Sequence, residues 1–332
     1  MTQARPATEP AQPTETTRAL TAAAGLGVCA ALTQYVVARH YLQIEWAITV
    51  PVPLAWWAVA GAAGVVGAPL FLVVLGRRAE RLVALPWGRL LLTWVIPVLV
   101  AHYAWLACTV ALLRRIDPGL VGIPMRDSHE LLSVALLPPP ELSLLWALAL
   151  FPLIAKAAQR VPAAALVAVL CAATLLTGAV SFLVFLAAGL RFARQIARAV
   201  QPSSWRDLVA RAVVAVVGAC VLGVDRFPAG LAVVVAGLAA LPFALAVAAR
   251  LRFRALMAVG AAAVPMYLLL VPVLVLADKA LLARLSAMGS TVQLAVALAE
   301  PPALVAGMVA GGLVLMAVVR QVRGRAPAGV AR

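Results

Sequence analysis

The chain has 332 residues, of which 65% are hydrophobic and 12% charged, with a mean hydropathy of +1.04. A soluble domain is nearer half apolar and a quarter charged, so a water-soluble fold and a single membrane anchor on a soluble domain are both excluded. The net charge of +15 does not imply nucleic acid, because the basic residues stand singly or in small groups between apolar runs. A nucleic-acid surface wants one contiguous basic face with aromatic platforms.

Residues 1–17 are rich in Pro, Thr, Ala and Gln and lack the basic start and short apolar core of a signal peptide. They predict a disordered cytoplasmic tail. From residue 18 to 320 the apolar runs predict one transmembrane helical domain, and residues 321–332 a basic cytoplasmic tail. At about 20 residues per helical crossing, the predicted spans are 19–38, 54–76, 90–113, 142–155, 162–177, 178–192, 208–224, 228–249, 255–277 and 302–319. The fifth and sixth form one apolar stretch broken only around Thr177 and Gly178. The expected fold class is therefore all-α: a polytopic membrane protein of about ten helices.

Lys and Arg collect on the cytoplasmic side of a membrane, which tests this count. With ten spans and both termini cytoplasmic, 20 of the 27 basic residues fall inside, in groups such as Arg77, Arg78, Arg81 and Arg89 or Arg191 to Arg211. Seven fall outside: Arg39, Arg114, Arg115, Arg126, Arg226, Lys279 and Arg284. Merging the fifth and sixth spans would put the Arg191 to Arg211 group outside. The split is preferred.

Cys29, Cys171 and Cys220 lie inside apolar runs and Cys108 near the end of one, so buried thiols are expected and no metal site. Gly307 and Gly311 form a GxxxG in the last span, a helix-packing signal. Polar groups inside a bilayer are costly, which draws attention to the histidines. His40 ends the first span after Arg39, His102 lies midway along the third, and His129 falls in an outside loop after Arg126. An imidazole can take a proton from a hydroxyl near neutral pH. The plainer roles are interface anchoring for His40, Tyr41 and Trp46, interhelical hydrogen bonding for His102, and surface exposure for His129. The inside arginines match phosphate geometry, while the plainer role for most of them is topology and contact with anionic lipid.

Several segments stand in a telling order. Pro69-Leu70-Phe71-Leu72 runs to Gly76-Arg77-Arg78. Trp87-Gly88-Arg89 is followed by Pro97 and Tyr103. Then come Glu141-Leu142-Ser143 with Trp146, Phe182 to Gly189 with Arg191, and Gly260 to Pro272 around Tyr267. Together they resemble the membrane-integral acyltransferase family 3, over the length from the first span to the last. That resemblance implies about ten helices in a cell membrane, an acyl-CoA co-substrate and a hydroxyl acceptor on a sugar, lipid or metabolite. It implies His40 and His102 as catalytic candidates, and Arg39, Arg77, Arg78, Arg89, Tyr103 and Tyr267 as substrate-binding candidates. The sequence departs from the family pattern at Cys29, Leu75, Ala261 and Leu270, where the family carries polar residues. Two other readings stay open: a non-catalytic scaffold binding lipids or a partner membrane protein, and a small-molecule exporter. The Ala- and Arg-rich, Lys-poor composition suggests a high-GC bacterial source.

Overall fold

The computed structural model describes residues 15–48, 50–116, 132, 135–136, 143–175, 180–201, 204–224, 228–251, 253–285 and 287–325. The predicted N-terminal tail to residue 14, the loop with Arg126 and His129, the break at Thr177 and Gly178, and residues 326–332 lie outside them. Among the described residues the chain is 88% helix with no strand, which fixes the class as all-α.

The main helices, in order, are α1 (Glu15–Arg39), α2 (Val52–Arg78), α3 (Ile96–Ile116), α4 (Leu144–Ala157), α5 (Ala163–Ala173) and α6 (Ser181–Arg191). They are followed by α7 (Ala193–Ala199), α8 (Trp205–Cys220), α9 (Ala229–Arg250), α10 (Arg254–Ala261), α11 (Ala263–Leu285) and α12 (Ser290–Arg325). A helical turn at Trp87–Leu90 and a π-turn at Leu91–Val95 lead into α3. Six stretches are long and apolar enough to cross a membrane: α1, α2, the run Trp87–Leu112, α9, α11 and α12. The chain is a multi-pass membrane protein. The other four predicted spans fall on the shorter helices α4, α5, α6 and α8.

Two predicted boundaries differ from the structure. The run 255–277 is two helices, because Pro265 carries no N–H for the Ala261 carbonyl and its ring crowds that turn. The chain breaks at Ala262 and restarts as α11. The last helix begins at Ser290 rather than near 302, and the Pro301-Pro302 pair lies inside it. Its 36 residues rise about 54 Å, well beyond a hydrocarbon core of about 30 Å.

α1 is the hub of the bundle, packing on α2, α9, α10, α11 and α12. Its N-terminal half buries Ala19, Ala22, Ala23, Ala24, Gly25 and Gly27, small residues that let backbones approach closely without help from water exclusion. A Cβ added at Gly67 would come 2.4 Å from the Ala31 nitrogen, and one at Gly189 2.0 Å from the Val73 carbonyl oxygen. These crossings admit only glycine.

Prolines inside five of the described helices leave carbonyls without the usual i+4 donor, and in three of these helices a tryptophan from a neighbouring segment supplies one. Trp94 Nε1 donates to Leu148 O at 3.0 Å, opposite Pro152. Trp105 Nε1 donates to Leu268 O at 3.1 Å, opposite Pro272. Trp56 Nε1 donates to Ala297 O at 3.1 Å, opposite Pro301. In lipid, where water cannot satisfy a freed carbonyl, these bonds join helices as well as complete them.

The basic residues near one end of the bundle also cap backbone. Lys156 Nζ donates to Val83 O at 3.0 Å and Leu85 O at 2.6 Å, and Arg191 binds Ala158 O. Arg211 reaches Ala199 O at 2.9 Å. α8 begins with a capping box between Ser204 and Asp207, whose side-chain hydrogen bond holds the Asp207 carboxyl below its ordinary value.

Candidate functional site

His40 follows the last residue of α1 and leaves the helical region, with φ −127° and ψ −71°. The turn sends its ring back into the bundle, where it is fully buried. Its Nδ1 meets Asp278 Oδ1, and its Nε2 meets Glu300 Oε1. Asp278 is a buried residue of α11 and Glu300 a half-buried residue of α12. Three segments far apart in sequence thus place a carboxylate on each side of one imidazole.

The surroundings are built to hold this arrangement. Gln293 Nε2 donates to Leu285 O at 3.1 Å and Met288 O at 3.2 Å, tying the turn between α11 and α12. Its Oε1 accepts from Ala47 N at 3.0 Å, anchoring the loop that follows His40. Trp46 Nε1 donates to Tyr41 O at 3.0 Å. The Tyr41 ring is buried with its centroid 5.0 Å from Trp46 and 6.3 Å from Trp56. The Tyr41 hydroxyl and Glu300 Oε2 are buried and have no hydrogen-bond partner among the described residues.

The proton count follows from the donors. An imidazole donates from both nitrogens only as the imidazolium. Facing two carboxyl oxygens, His40 is either an imidazolium between two carboxylates or a neutral ring with one carboxyl protonated. Both states carry one net negative charge and differ only in where the proton sits along one hydrogen bond. The site can therefore pass a proton between ring and carboxyl without losing its contacts, a property suited to proton transfer.

His102 is not part of this cluster. It is fully buried on α3, with neither ring nitrogen partnered among the described residues. Trp105, one turn further along α3, contacts α11 at Leu268, about 15 Å of helix rise from Asp278. Thr109, on the same face as His102, is likewise buried with its hydroxyl unpartnered.

The substrate-binding candidates are scattered. Arg77 pairs with Glu80, Arg78 donates to Thr21 Oγ1 at 2.9 Å, and Arg39 and Arg89 are exposed. Tyr103 is exposed, with its hydroxyl on Ala135 O at 3.3 Å. Tyr267 stacks on Trp105 at 5.1 Å and lines an apolar cavity of about 60 Å³ between α1, α2, α4, α6 and α11. His40 does not line that cavity. The interface-anchor role expected for His40 and Tyr41 does not fit, since both are buried among helices. No group of three or more His, Cys, Asp or Glu side chains among the described residues is placed to hold a metal ion.

Asp278 and Glu300 were not among the residues singled out in the sequence. Their signal was available: two acids within or beside long apolar runs, each expensive in a membrane unless paired.

Compared with known proteins, the chain matches no family model, no curated protein and no solved structure.

Proposed function

We propose that this chain is a ten-span acyltransferase of the cell membrane, with both termini cytoplasmic, that moves an acyl group from acyl-CoA to a hydroxyl. The supporting observation is His40, buried where the first long helix ends and held at both ring nitrogens by Asp278 and Glu300. A general base needs a fixed ring and a proton-accepting nitrogen near its substrate. Asp278 accepts from Nδ1–H and fixes the tautomer, leaving the Nε2 lone pair as the base. Glu300 stands where the acceptor hydroxyl would bind, and gives way when the acceptor arrives.

The step balances without another reactant. The acceptor oxygen attacks the thioester carbonyl, a C–O bond forms, and the C–S bond breaks. The hydroxyl proton passes to Nε2 and then to the departing thiolate. Exposed Arg39, next to His40, supplies positive charge for the coenzyme phosphates at the same end of the bundle, beside anionic membrane lipids.

The test is direct. Purified protein in lipid nanodiscs is given acyl-CoA and membrane or metabolite extracts, and acylated products are sought by mass spectrometry. Products that require His40 support the reading. Thioester that remains intact with every acceptor class overturns it.

The two buried acids favour a second reading, a proton-coupled exporter, because acid–histidine chains inside membranes also carry protons in transporters. Substrate release from vesicles that depends on an imposed pH gradient, with no acylated product, would select it.

A further inference from the structure

We infer that the apolar cavity between α1 and α11 is the acyl-chain site, and that it takes a chain of about four to six carbons. This rests on the acyl-transfer reading and names its donor. The cavity walls include Leu32 and Tyr35 of α1, Phe71 and Leu72 of α2, and Tyr267 and Leu270 of α11. The lining is almost wholly hydrocarbon and aromatic, so a charged or heavily hydroxylated ligand would lose its hydration there without repayment. An acyl chain loses nothing.

Position ties the cavity to His40. Two of the helices that line it, α1 and α11, lead to His40 and carry Asp278 respectively. Tyr35 lies about 7.5 Å of helix rise inward from His40, and Leu270 about 12 Å inward from Asp278. A chain in the cavity thus points its carbonyl end toward the imidazole while its methyl end lies in the bundle interior.

Volume sets the length. A water-sized sphere occupies about 10–15 Å³ of such space, so the 60 Å³ present holds about four to six chain atoms. An acetyl group leaves most of it empty. A sixteen-carbon chain would leave most of its length outside it.

The experiment uses the full chain in lipid nanodiscs and hexanoyl-CoA bearing a diazirine near its methyl end. After photolysis, label is expected on peptides containing residues 68–72 or 263–270. Unlabelled butyryl- and hexanoyl-CoA are expected to compete better than acetyl- or palmitoyl-CoA, by about tenfold for two buried methylenes. Leu72→Ala enlarges the cavity and shifts the preferred chain longer. Ala68→Leu narrows it and shifts the preference shorter, so either variant alone keeps the test decisive. Label confined to other peptides, or competition independent of chain length, overturns the assignment. If label and length preference hold while no thioester is ever consumed, the chain site stands and acyl transfer falls.

Discussion

The indole N–H of Trp105 donates to the carbonyl oxygen of Leu268 at 3.1 Å, the carbonyl that Pro272 leaves without its helical donor. Trp94 with Leu148, and Trp56 with Ala297, repeat the relationship. A proline kink in a membrane helix is tolerated when neighbours satisfy the freed backbone. Here the neighbour is a tryptophan three times.

Trp105→Phe keeps the aromatic volume and removes the donor. It should cost about 1–3 kcal/mol, the penalty for a buried acceptor left unmade. Combining it with Pro272→Ala restores an N–H at position 272 and should shrink that cost to less than half. Thermal unfolding of the four proteins of this cycle in detergent gives the coupling. Equal costs in both backgrounds would show that the indole bond does not serve the proline.

Glycine crossings make a second prediction. Gly189→Ala places a methyl 2.0 Å from the Val73 carbonyl oxygen, so α2 and α6 must separate. The expected loss is about 1–3 kcal/mol, as for other overpacked sites. Gly307→Ala meets nothing within 4 Å and should unfold at the wild-type temperature or above it. A Gly189→Ala protein as stable as Gly307→Ala would refute the close crossing.

His102 and His40 should respond oppositely to loss of the ring. His102→Leu replaces a buried imidazole without partners by an apolar group, a change expected to be neutral or stabilising. His40→Leu strands Asp278 and Glu300 and should cost about 3–5 kcal/mol, the range for breaking a buried ion pair. Melting temperatures of the two variants decide it. A large loss in His102→Leu would mean that its nitrogens have partners in the membrane.

Topology follows from the 20-to-7 division of basic residues. Reporter fusions after Arg198 and after Arg126 should report cytoplasmic and outside locations respectively. The same side for both would leave an even number of crossings among α4, α5 and α6 and contradict the ten-span count.

Much of the bundle was legible because apolar runs and charges mark helices and their ends. Each of the ten predicted spans overlaps a helix or helix pair among the described residues, six of them long and apolar enough to cross a membrane. The site was half legible. His40 stands out as an imidazole at the end of a span, whereas Asp278 and Glu300 fall just outside the predicted spans. The ninth span ends at 277, one residue short of Asp278, and the tenth begins at 302, just past Glu300. Both helices run through those limits. Hydropathy prices each acid as if alone, and cannot see a partner 238 or 260 residues away. The tryptophan bonds were hidden for the same reason, since Trp105 and Pro272 meet only after α3 packs on α11.

The central claim is that His40, held by Asp278 and Glu300, takes the proton in acyl transfer. Its most direct test is the rate of acyl transfer by purified His40→Ala protein, alongside wild type, with folding checked by its melting curve and size-exclusion profile. The account predicts a fall of roughly 10²–10⁴-fold, the usual contribution of one general base, in protein that still elutes as a folded species. Folded His40→Ala protein that transfers the acyl group at the wild-type rate would contradict it.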